Sequence, residues 1–97
     1  MIGPFPPVHP GEVLRDEFLE PLGLSAYAVA KAIGVPRTRI ERLMRGETSV
    51  SADTALRLAR WFGTTPEFWM NLQSAYDLTI TGHRAAGEIA AISPRAA

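Results

Sequence analysis

Four arginines, Arg37, Arg39, Arg42 and Arg45, fall within nine residues, with Thr38 and Glu41 between them. A guanidinium donates through a planar fork that fits the two acceptors on the major-groove edge of guanine. A threonine can bond a base or a phosphate, or touch a thymine methyl. On a helix turning about 100° per residue, Thr38, Arg42 and Arg45 point to one side, with Arg39 and Glu41 flanking and Arg37 in the first turn. This pattern predicts a surface that reads DNA. The competing reading is a solvated ladder, because Glu41 stands four residues from both Arg37 and Arg45.

The stretch around these residues favours the first reading. From Ser25 to Gly46 the chain runs SAYAVAKAIG-VPR-TRIERLMRG. The Ser25 hydroxyl can cap a helix of about nine residues, along which Val29, Ala30 and Ile33 make one apolar stripe. Gly34 supplies a positive φ at the stop, and Val35-Pro36 restarts the helix with proline in the first turn. Ala30 is small where a steeply crossing helix comes close. Beyond Pro36, Ile40, Leu43 and Met44 make a second inward stripe that ends at Gly46. Two short helices joined by a sharp turn, over residues 25–46, are expected to hold the arginines outward.

Ninety-seven residues, 46% of them hydrophobic, suffice for one domain and one modest core. The formal net charge is zero, which argues against a phosphate-binding partner until its distribution is considered. Residues 1–36 carry two basic and four acidic side chains, residues 37–60 six and three, and residues 61–97 two and three. The basic excess is confined to the segment containing the arginine helix, as suits a chain that meets DNA on one face and something else on another.

Other chemistry finds little support. With no cysteine there is no disulfide framework and no cysteine-ligated zinc. His9 and Glu12 are two metal ligands lacking a third, and no phosphate loop, nucleophile elbow or HExxH is present. No catalytic residue, metal or cofactor is expected. No apolar run reaches the roughly 20 residues of a membrane span, and the start lacks a basic segment before an apolar core. A cytoplasmic protein is expected.

The rest of the chain reads as support. Residues 1–9 are proline-rich and form an extended arm, with Phe5 and Val8 expected to pack on the domain. From Pro10 to Leu22, Val13, Leu14, Phe18 and Leu19 give a helix its inward side, whereas Glu12, Asp16, Glu17 and Glu20 face out against Arg15 alone. That acidic face is either merely solvated or an interface for a basic protein. Ser51 caps a helix whose stripe is Ala55, Leu58, Ala59 and Phe62, broadened by Leu56, while Trp61 points away and needs cover. Thr65-Pro66 opens the next helix, where Phe68, Trp69, Leu72, Ala75 and Tyr76 line a face wide enough for either a core or a dimer interface. Residues 79–97 form a weaker tail: Leu78-Thr79-Ile80-Thr81, at its start, reads as a short strand or a frayed end, and Ile89 and Ile92 are set in an alanine-rich stretch.

Three blocks, HPGEVLRDEFLEPLGLS from His9, the segment 25–46, and ADTALRLARWFGTTPEFWMNLQSAYDL from Ala52, resemble the HigA-type (VapI-like) antitoxins of the XRE helix-turn-helix class. The resemblance implies an all-α, five-helix, phage-repressor-like domain over residues 10–78 and a homodimer bound to a palindromic operator. It also implies a partner, a small basic RNA-cleaving toxin of the HigB kind, which the antitoxin neutralises while repressing its own operon. By position, Arg37, Thr38 and Arg39 match the base-reading start of the recognition helix, with Glu41 and Arg42 further along. Ala26 departs from the pattern, which has a polar residue there bracing a phosphate contact. Arg45, Lys31 or Tyr27 would replace that contact. Trp69, Leu72, Tyr76, Ile89 and Ile92 are the expected dimer residues, and Glu12, Asp16 and Glu20 the expected toxin contacts on charge alone. A two-fold would set the recognition helices roughly 34 Å apart on adjacent turns of DNA. A stand-alone dimeric repressor is the second reading, and a metal-dependent enzyme using His9 a distant third.

Overall fold

The structure, a computed structural model, describes residues 5–95, all of whose regular elements are helical. The first, α1, runs without a break through Pro10–Val13, a π-helical turn at Leu14–Leu19, and Glu20–Leu22. The wide turn has a local cause: Pro21 brings no amide, and its ring crowds the carbonyl one turn back, which a π turn accommodates. Then follow α2 (Ala26–Ile33), α3 (Arg37–Met44), α4 (Ala52–Phe62), the long α5 (Pro66–Arg84) and a short α6 (Ala86–Ala90).

Caps written into the sequence set most of these boundaries. The hydroxyls of Ser25, Ser51 and Thr65 accept from the amides of Ala28, Thr54 and Phe68, at 3.1, 3.2 and 3.1 Å. At the other ends, Gly34 and Gly63 adopt φ of 74° and 76°, in the left-handed region that glycine enters without a Cβ penalty. Pro36 is the N-cap of α3, with extended backbone, and so stands one residue before the first-turn position expected of it.

The core draws on α1 to α5 and on the loop before α4: Leu14 and Leu19, Val29 with Ala30 and Ile33, Ile40 with Leu43, Val50, Ala55 with Leu58 and Ala59, and Trp69. Burying a Leu or Ile side chain of this kind stabilises the fold by roughly 1.5–3 kcal/mol. Phe18 packs tilted between Phe62 and Trp69, at ring-centroid distances of 4.9 and 5.0 Å.

Several expectations are corrected here. Residues 78–81 form no strand. They continue α5 to Arg84, because a helix already started by Thr65 and Pro66 gains from Thr79 on its buried side. Trp69 has no face left for a second copy: it is fully buried, and its indole N–H donates to the Thr64 hydroxyl at 2.8 Å. Leu56 turns outward and is exposed rather than broadening the stripe, and Trp61 keeps 41% of its surface in solvent while leaning on Phe62. In the arm, Phe5 stacks on His83 at 4.1 Å but Val8 is exposed, and residues 1–4 lie outside the described residues. Among the described residues no helix is long and apolar enough to cross a membrane.

Candidate nucleic-acid interface

Ile40 and Leu43 pin α3 to the core, which forces Arg37, Thr38, Arg39, Arg42 and Arg45 into solvent. Ala30, 2% exposed, lies where α2 meets α3, and the Val35 amide donates to the Ala30 carbonyl at 3.0 Å to close the turn. Arg37, Arg39 and Arg42 therefore share one rigid element, and Arg45 follows as its C-cap.

Their partners differ from a simple ladder. Arg37 reaches Glu41 at 3.5 Å, but Arg45 turns to Glu47 at 2.8 Å, so Glu41 does not bridge two arginines. Arg39 extends to α4, where its Nη1 donates to Asp53 Oδ2 at 2.6 Å. Arg57, one turn along α4, donates to the same carboxylate at 3.0 Å and to the carbonyl of Ile33 at 2.7 Å. Asp53 is thus held below the usual carboxylate range, first by Arg39 and then by Arg57. Glu47 is lowered likewise by its bond from Arg45.

Beside these arginines lies a cleft of about 390 Å³ lined by Pro36, Thr38, Arg39, Arg42, Thr48, Ser49, Ser51 and Thr54. Hydroxyls, two guanidiniums and the N-terminal end of α4 suit a phosphate of the DNA backbone, which positions a protein on the duplex while base edges specify sequence. The sequence reading missed Thr48, Ser49 and Thr54. The density of hydroxyls just after Gly46 was the available signal. The loop is fixed from behind by Gln73, buried on α5, whose Oε1 accepts from the Val50 amide at 2.8 Å and whose Nε2 donates to Asp77 at 2.9 Å.

The remaining expected residues are dispersed. Tyr27 and Lys31 are exposed one turn apart on α2, and Ala26 is half-buried. Glu12, Asp16 and Glu20 are exposed on α1, with Asp16 bound by Arg15 at 2.7 Å. Leu72 and Tyr76 are half-buried, whereas Ile89 and Ile92 are exposed.

His9 is a helix cap. Its Nδ1 accepts from the Gly11 amide at 2.9 Å, and its ring is buried edge-on to Tyr76 at 4.8 Å. Burial lowers its pKa, against smaller opposing effects of Glu12, the Thr48 backbone and Asp77. Capping occupies Nδ1, and the ring also hydrogen-bonds the Thr48 backbone. Among the described residues no three metal-ligating side chains of the His, Cys, Asp and Glu types come together.

Comparison with known proteins agrees with this geometry. Residues 16–69 match the helix-turn-helix family. Virulence-associated protein I of Dichelobacter nodosus is 53% identical over 73 residues, covering 75% of this chain and 68% of that protein. Antitoxin HigA-1 of Vibrio cholerae is 43% identical over 88 residues, 91% of this chain and 83% of that protein. Among solved structures, the Pseudomonas aeruginosa antitoxin HigA with the higBA promoter superposes with a TM-score of 0.89 at 42% identity, over 93% of this chain and 99% of that one. The HigA proteins are antitoxins and the matching family is a helix-turn-helix one rather than an enzyme class, and the chain belongs to the HigA antitoxin family of helix-turn-helix proteins.

Proposed function

We propose that the chain is an antitoxin that binds a palindromic operator through α3, represses its own operon in the cytoplasm and neutralises a small basic RNA-cleaving toxin. The observation that carries the DNA half is the outward face of α3, three arginines on a helix locked by Ile40 and Leu43, with Arg45 at its C-cap, and two of the three, Arg39 and Arg42, lining a cleft rich in hydroxyls. A relative so similar, held with its promoter, supports the same use of this face.

Operator palindromy calls for a homodimer, with half-sites about one turn apart. Ile89 and Ile92 offer it an exposed apolar surface at the tail. Leu56 and Trp61 offer another, on the helix whose first turn touches Arg39. Light scattering of Ile89→Asp and Leu56→Asp variants decides between them, the interface variant running as a monomer. The toxin is assigned to the acidic side of α1, at Glu12, Asp16 and Glu20, because a basic partner fits that charge.

Co-expression of the tagged chain with the reading frames flanking its gene tests the antitoxin reading. A stoichiometric small basic protein, toxic when expressed alone, is the expected result. Recovery of the antitoxin chain alone, with neighbours that do not harm growth, would make it a stand-alone repressor.

A further inference from the structure

From the Arg39–Asp53–Arg57 network we infer that Asp53 is a positioning residue for sequence readout, fixing the arginine that reads a base. The inference rests on α3 being the reading helix. A carboxylate at the start of α4, next to a cleft suited to phosphate, repels DNA of every sequence alike. Its place there makes sense if it contributes selectivity instead.

The geometry provides that selectivity. Asp53 takes only the Nη1 of Arg39, leaving Nε and Nη2, two donors in one plane, for the edge of a guanine. A long side chain 41% exposed would otherwise sample many rotamers. Asp53 is itself held: Arg57 donates to both of its oxygens, at 3.1 and 3.0 Å, and Arg57 is anchored on the Ile33 carbonyl at the end of α2. The chain of bonds thus joins the turn, α4 and the reading helix.

The test uses a duplex selected from a randomised pool by the unsubstituted protein, with a scrambled duplex as reference. Asp53→Asn should tighten binding to the scrambled duplex, because a negative charge is gone. It should also lower the selected-over-scrambled ratio by about fivefold or more. Asp53→Glu keeps the charge but shifts the carboxylate by one methylene, so scrambled binding should hold while the ratio falls. In an Arg39→Ala background neither change should alter the ratio further. In the free protein, relaxation of the Arg39 Nε–H should show it ordered, and mobile in Asp53→Asn. Equal tightening of both duplexes by Asp53→Asn, or an undiminished effect on the ratio without Arg39, would overturn the inference alone. An unsubstituted protein that selects no sequence from the pool would overturn both it and the operator reading.

Discussion

Gly11 of α1 lies against the backbone carbonyl of Leu43 in the last turn of α3, so closely that a Cβ on residue 11 would collide with it. The contact ties the first helix directly to α3. Helix propensity alone says that alanine should improve this position, by about 1 kcal/mol. Packing says the opposite, since the obstructing atom is backbone and cannot rotate aside. Gly11→Ala is therefore predicted to destabilise the fold by about 1–3 kcal/mol, read as a lower thermal midpoint. An unchanged or higher midpoint would show that α1 shifts freely on α3.

His9 gives the fold a pH dependence of definite sign. Its pKa is lowered in the native state from the ordinary 6.5, so the folded chain prefers the neutral ring that caps Gly11. Above 6.5 both states hold His9 neutral and its contribution is complete. As pH falls through 6.5, the unfolded chain takes up a proton that the native chain resists, and stability declines until the native ring is protonated too. Urea midpoints between about pH 7.5 and 5.5 should fall for the unsubstituted protein and stay nearly level for His9→Asn, which keeps a capping oxygen. Equal slopes for the two would remove His9 as the cause.

Arg45 lies past the last turn of α3, bound to Glu47 rather than within the cleft. Arg45→Ala is predicted to weaken binding to all sequences alike and to reduce the salt slope by about one unit, as loss of a phosphate contact does. A loss confined to one sequence would make Arg45 a base reader.

The parts legible in the sequence were those fixed by neighbours along the chain. Ser25, Ser51 and Thr65 announce their helices because a cap bonds three residues ahead, and Gly34 ends α2 because only local backbone geometry is at issue. What depended on distant partners was not legible. Asp53 is fourteen residues from Arg39, and nothing in the spacing says that it, rather than Glu41 two residues away, pairs with that arginine. Trp61 and Trp69 are alike in composition, yet one is exposed and the other is the centre of the core, because Thr64 and Phe18 meet only Trp69 in the right geometry. His9 could be weighed only as a weak metal ligand, because the amide it caps is not visible in the sequence. The four-residue alternation at 78–81 was outweighed by a helix begun twelve residues earlier.

The central claim is that α3 reads a base sequence through Arg39. The direct measurement is a pair of binding titrations at one salt concentration, on the selected duplex and on a scrambled one, for the unsubstituted protein and for Arg39→Ala. Arg39→Ala should remove about 1–3 kcal/mol of discrimination while leaving the thermal midpoint and the helical signal unchanged. A folded Arg39→Ala protein that still prefers the selected duplex by the original factor would contradict the account.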